Sequence, residues 1–346
     1  MTTQNLRRRR LLPLAAVLSI AALAAAACSS SSGGSSASSS TASASRASVN
    51  LSGVTLHVGD QAGSGAQARL TAAGLISKLP FKVTWSDFTS GPPMLQAMGA
   101  GAIDIGSVGN APPVFAAAGG EKVAIVGTTQ GNPDGSAIVV PKNSPIHSIA
   151  QLKGKRIAVA QGSSGDYHLL TVLNKAGINV HQVTLDYLQP AAGLAALTSG
   201  NVDAWDVWTP YIEQVTGQHN ARILVNGTGF GSPYSFTVAS RAALANPAQA
   251  AAIRDYLKLL DQAYTWTDTH QSAWAAVWAK ATGLPDSVML VAAKDATYTP
   301  IQITPAVVSS EQSVSNAFTS AGLIPGHVNF ADFVDTAFNN TVGSSS

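Results

Sequence analysis

Gly101-Ala102-Ile103-Asp104-Ile105-Gly106-Ser107-Val108-Gly109-Asn110-Ala111-Pro112-Pro113 holds a short β-like run, a glycine turn and the opening of a helix. Asn before a proline-bearing first turn is a helix start, because its side chain and the fixed φ of proline both suit that position. The same unit recurs outward from this stretch. Val54–Val58, Phe81–Trp85 and Val123–Val126 read as further strands, with helices over Ala66–Lys78 and Pro92–Ala100. A second series follows: strands at Arg156–Ala160, Val183–Leu188, Val202–Trp205 and Arg222–Val225, and helices at Ser163–Ala176 and Ala191–Leu197. Such alternation predicts α/β architecture with mostly parallel sheets flanked by helices. Two extended segments, Ser136–Val140 and Tyr234–Ala239, read as crossings between two lobes. The expected division is lobe I over 53–137 and 238–346, and lobe II over 138–237. The chain beyond the second crossing reads as helical, with Asn246-Pro247 and Thr304-Pro305 as helix starts. A clamshell of this kind places its ligand between the lobes, at the carboxyl ends of the strands.

The first fifty residues belong to something else. Arg7 to Arg10 precede an apolar run from Leu11 to Ala27, and Cys28, the sole cysteine, follows. A basic start, a short apolar core and small residues before a processing point make an export signal. The small residues before Cys28 resemble the lipobox of bacterial lipoproteins, with Ala25 where leucine is usual. That resemblance implies a signal over 1–27, lipidation of Cys28 and anchoring at the outer face of the cytoplasmic membrane. Residues 28–52 are dominated by Ser, Ala, Gly and Thr and read as a flexible tether. The formal charge of +2 reflects this leader, for without its four arginines 16 basic residues face 18 acidic ones. No nucleic-acid-binding face is expected from that balance.

An ordered set of stretches is more specific. Phe88-Thr89-Ser90-Gly91-Pro92 precedes the Gly101–Pro113 stretch. Leu152-Lys153-Gly154-Lys155-Arg156-Ile157-Ala158-Val159, Gly162-Ser163-Ser164, Val202-Asp203-Ala204-Trp205, Gly227-Thr228-Gly229 and Val238-Ala239-Ser240 follow. In this order they resemble the substrate-binding proteins of aliphatic sulfonate, taurine and nitrate importers, over roughly residues 53–335. The resemblance implies a two-lobed type II periplasmic-binding fold and delivery of a small anion, an alkanesulfonate foremost, to the membrane permease of an ABC importer. It also implies a monomer that does no chemistry on its ligand and needs no cofactor.

The residues themselves suit an anion. Ser163 and Ser164, Ser90 and Gly91, and Asn110 with Ala111 stand at three strand-to-helix turns. Free N–H groups and partial positive charge at a helix start bind anions without Lys or Arg. Gln61 lies in the loop that reaches the ligand in the family. His168, one turn into the Ser163 helix, is a candidate for added charge, while Trp205, Asp206 and Tyr234 are candidates for the crevice wall. The family often has Trp-Asp-Pro-Tyr where this chain has Trp208-Thr209-Pro210-Tyr211, which puts an amine-binding role in doubt. Trp208 and the helical Trp266, Trp274 and Trp278 read as packing.

The alternatives are a receptor for taurine, nitrate or a thiamine-precursor-like heterocycle, an extracellular sensor, and an enzyme on the same fold. No P-loop, zinc-type histidine spacing or nucleophile elbow is present, and the export signal speaks against a cytoplasmic enzyme.

Overall fold

The computed structural model describes residues 49–61 and 65–341. The export signal, Cys28 and nearly all of the tether lie outside the described residues.

Three runs of elements build the molecule. The first is β1 (Thr55–Asp60), α1 (Ala66–Ala72), β2 (Lys82–Asp87), α2 (Gly91–Gly99), β3 (Ile105–Val108), α3 (Ala111–Ala118) and β4 (Val123–Gly131). The second is β5 (Ser136–Pro141), β6 (Arg156–Val159), α4 (Ser164–Lys175), β7 (Thr184–Tyr187), α5 (Pro190–Thr198), β8 (Ala204–Trp208), α6 (Tyr211–Gln218) and β9 (Ala221–Asn226). The third is β10 (Tyr234–Ser240), α7 (Arg241–Ala245), α8 (Pro247–Thr269), α9 (Gln271–Thr282), α10 (Asp286–Asp295), β11 (Tyr298–Ile301) and α11 (Pro305–Ser320).

The strands form two sheets, ordered β11-β4-β10-β3-β1-β2 and β7-β6-β8-β5-β9. Both are mixed, with the parallel pairs expected from the βα alternation and antiparallel pairs beside them. β1 runs parallel to β2 and β3, and β6 parallel to β7 and β8. β10 is antiparallel to both its neighbours, and so is β5. The reason is the route of the chain. Each βα unit runs toward the crevice and ends there, whereas β5 and β10 carry the chain from the crevice into a new lobe and so run the opposite way.

The passages between sheets are residues 132–135 and 227–233, just before the two segments read as crossings. β5 belongs wholly to the second sheet from Ser136, and β10 wholly to the first from Tyr234. The expected boundaries at 137/138 and 237/238 therefore cut through strands. The C-terminal region is not all helix either. β11 adds an antiparallel edge to β4, pairing Tyr298 with Gly131. Four residues with a proline give little β signal, and an edge is where a sheet admits proline.

Strand alternation divides the core. On the first sheet, Leu56, Val58 and Ile105 pack against Leu70 of α1 and Tyr256, Leu257 and Leu260 of α8. Its other face, with Val108, Phe236 and Val238, packs under Met94, Leu95, Val114 and Phe318. That second cluster continues into lobe II through Ile157, Val159, Leu169 and Leu173, so α3, α4 and α11 join the lobes. At the seam, Gly162 (φ 69°) has the Phe115 ring against it. A Cβ there would lie 2.9 Å from the ring, so the backbone conformation and the contact both require glycine. The helix starts read from sequence are capped as expected. Asn246 accepts from the N–H groups of Ala248 and Gln249, and Thr304 from that of Val307. Among the described residues no helix is long and apolar enough to cross a membrane.

Candidate functional site: an interlobe cleft of helix starts

The strand ends of both sheets meet around a cleft of about 1030 Å³, counting the space open to solvent at its mouth. Gln61, Gly91 and Asn110 line it from the first lobe; Ser163, Ser164 and His168 line it from the second. Tyr234 lines it where the chain returns. Seven of the expected ligand residues are thus brought together from five separate segments: the loop at Gln61, the starts of α2 and α3, the first turns of α4 and the start of β10.

The centre is the meeting of two helix starts. Ser163 caps α4, its hydroxyl accepting from Asp166 N–H at 3.3 Å. Asn110 stands at the cap position of α3 but makes no capping bond, which leaves its buried amide to the cleft. The two turns touch across the lobes, where Asn110 N–H donates to Ser164 Oγ at 3.2 Å. The positive ends of two helices therefore face one space. Gln61 is held by its own amide, which donates to the Ser107 carbonyl at 3.0 Å. The start of α1 is tied to Asp60, whose carboxylate accepts from the N–H groups of Gln61, Ala66 and Gln67.

Four expected contacts lie elsewhere. Ser90 is fully buried, and its hydroxyl donates to Gln189 Oε1 of the second lobe at 2.8 Å, beside Thr89 at 2.9 Å. Ala111 is buried in the core as the first residue of α3. Trp205 packs with Val207 toward α5 and α6, its indole against Gly193. Side chains alternate along a strand, so Asp206 points to the opposite face and into α4. There it meets His168, Nδ1 to Oδ2, at 2.8 Å. His168 Nε2 lies 3.1 Å from the Asn226 carbonyl oxygen, so that nitrogen donates. Burial works to strip the proton from His168. The charge and hydrogen bond of Asp206, helped by the Asn226 carbonyl, outweigh burial and hold the imidazole pKa above its ordinary value.

Sequence reasoning missed much of the wall. Tyr167, Trp208, Thr209, Tyr264 and Tyr298 all line the cleft. Only Trp208 and Thr209 lie in a quoted motif, and there Trp208 reads as packing. Tyr264 and Tyr298 come from the middle of α8 and the start of β11, far along the chain, and no local pattern marks them. Behind these two rings Arg69 is buried, its guanidinium carbon 4.9 and 5.2 Å from their centroids and its Nη1 donating to Thr267 Oγ1 at 2.6 Å. Among the described residues lining the cleft there is no Lys, Arg, Asp or Glu. No cluster of metal-ligating side chains occurs among the described residues.

Two α/β lobes, a cleft at their strand ends and neutral donors at facing helix starts define a two-lobed binding protein for a small solute. Comparison with known proteins gives the family. The profile of a family described as "ABC transporter, phosphonate, periplasmic substrate-binding protein" matches residues 72–285. A protein of Escherichia coli named for binding aliphatic sulfonates is 34% identical over 276 residues, covering 79% of this chain and 86% of that protein. The alkanesulfonate-binding protein SsuA of Xanthomonas axonopodis pv. citri, solved with MOPS bound, superposes with a TM-score of 0.78. It is 31% identical, over 82% of this chain and 99% of that one. The desulfurization enzyme DszB shares the fold alone, at TM-score 0.60 and 15% identity, over 83% of this chain and 97% of that one.

The chain belongs to the periplasmic substrate-binding proteins of ABC importers. Its place is extracytoplasmic, its ligand a small solute and its partner a membrane permease.

Proposed function

We propose that this chain captures an organic sulfonate with an uncharged tail and hands it to its permease without altering it. The observation that carries this is the pairing of the α3 and α4 starts across a cleft whose described lining has no Lys, Arg, Asp or Glu. Neutral donors at two helix ends suit a permanently ionised monoanion. An inorganic anion would leave the aromatic wall of Tyr167, Trp208, Tyr264 and Tyr298 uncovered, whereas an organic tail covers it. Taurine would want a carboxylate for its ammonium, and Thr209 stands where the family often has an acid. The relatives named above, one for aliphatic sulfonates and one seen with MOPS, support the same ligand class. Capture rather than turnover is supported by His168, the imidazole at the cleft, whose two nitrogens are both engaged. We further read the protein as a monomer tethered to the membrane through lipidated Cys28, with its lobes closing about residues 132–135 and 227–233.

The test is thermal unfolding with alkanesulfonates, taurine, sulfate, nitrate and a thiamine-precursor pyrimidine. A ligand at about 100 times its Kd adds roughly 2.7 kcal/mol, on the order of 5 °C in Tm for a chain of this size. The expected result is a clear shift with an alkanesulfonate, less with taurine and none with sulfate. A shift with the pyrimidine alone would sink the sulfonate reading.

A further inference from the structure

His168 and Asp206 are 1% and 0% exposed, yet His168 reaches the cleft wall. Asp206 lies hard against the first turn of α4. A Cβ on Gly165 would sit 3.1 Å from Asp206 Oδ1 and 3.3 Å from its carbonyl oxygen, so glycine makes room for the acid there. Oδ1 itself has no hydrogen-bond partner. An acid is therefore buried directly under the helix start that is read above as the anion site. Such a charge, uncompensated, would repel an anion bound at Ser163 and Ser164.

The geometry shows how it is compensated. Nε2 donates to the Asn226 carbonyl, and one proton lies between Nδ1 and Oδ2. Whichever atom holds that proton, the pair is neutral with it and carries one negative charge without it. Building on the sulfonate reading, we infer that His168 is a positioning residue whose shared proton with Asp206 keeps the floor of the anion site neutral, so that losing this proton weakens ligand binding.

The other titratable groups around α4 have the same sign of effect. Asp166 on α4 feels Asp206, and its pKa is raised to about 7, mainly by burial. Glu311 of α11, buried near Tyr167, is raised to about 8. Tyr187 on β7 is raised to about 12. From the passage between lobes, Asp134 accepts from Thr228, and the exposed Lys175 ammonium stands over the Phe230 ring. Rising pH thus adds negative charge around the site from several groups, so a profile of the native protein cannot by itself assign the effect to the pair.

A charge cycle assigns it. An alkanesulfonate stays ionised throughout, so its Kd is measured calorimetrically from pH 6 to 9.5 on the full-length chain in detergent and on three variants. The expected native result is at least tenfold weaker binding at pH 9.5 than at pH 6. His168→Gln, which strands Asp206, should bind weakly at pH 8 and recover as the pH falls. Asp206→Asn should hold its affinity to higher pH than the native protein. The decisive comparison is His168→Gln with Asp206→Asn: the double variant should bind at least fivefold more tightly than His168→Gln at pH 8. A double variant no tighter than His168→Gln, or native binding that varies less than twofold across the range, overturns the inference and leaves the sulfonate reading standing. Absence of sulfonate binding at every pH would sink both.

Discussion

Glu311 shows how a single buried residue sets a pH response. It is fully buried on α11, with Ser232 donating to Oε1 at 2.7 Å and Oε2 without a hydrogen-bond partner. Burial pushes its carboxyl from an ordinary 4.5 up to about 8, against the lowering effect of Ser232. Between those values the folded chain holds a proton that the unfolded chain releases. Stability must therefore fall as pH rises from about 4.5 to about 8. Glu311→Gln keeps a neutral group of the same shape and should flatten this fall. Thermal unfolding from pH 4 to 9 should show the variant level with the native protein near pH 4 and a few degrees more stable at pH 9. Equal Tm values at pH 9 would show that the fold does not raise the Glu311 carboxyl above its ordinary range. Asp166, raised to about 7, acts with the same sign.

At the level of the element, the start of α4 combines two tasks in one hydroxyl. Ser163 caps the helix and lines the cleft. Replacing a capping serine by alanine costs about 1 kcal/mol, while glycine costs only a few tenths. Ser163→Ala should lower Tm by about 2–4 °C and also weaken sulfonate binding. Ser163→Gly should leave Tm nearly unchanged and lose the same affinity, a split that calorimetry and thermal unfolding together would read. Equal affinity in Ser163→Gly and the native protein would confine the hydroxyl to capping. Much of this element was legible in advance. A serine pair after a strand, ahead of a helix ended by Gly177, has a local mechanism, and so does the Asn110 turn. The fate of Ser90 was not legible, because its cap position is ordinary but its hydroxyl partner, Gln189, lies 99 residues away.

Across the whole molecule, that pair is a latch between lobes. Thr89 and Ser90 both donate to Gln189 Oε1, one lobe holding the other at the cleft edge. Two net hydrogen bonds of about 1 kcal/mol each act after the lobes have closed, so they belong to the dissociation step. Gln189→Ala should raise koff on the order of tenfold and change kon little, measured by stopped-flow fluorescence of the native tryptophans. A change confined to kon would place the contact in the encounter step instead.

By itself, the sequence determined what depends on neighbours along the chain: the βα alternation, the helix caps at Asn246 and Thr304, the glycine turns, and the ordered motifs that point to the importer family. These follow from local sterics and short-range hydrogen bonds, which a few residues settle among themselves. Only the tertiary structure decided strand direction, since β5 and β10 reverse because the chain crosses the crevice before them. It also decided which side chains share the cleft. Trp205 and Asp206 are adjacent in sequence, yet the pleat sends one to the core and the other to His168. Tyr264 and Tyr298 join Asn110 and Ser163 only because two sheets and their covering helices fold their ends into one space, where burial sets charge and partners come from distant segments.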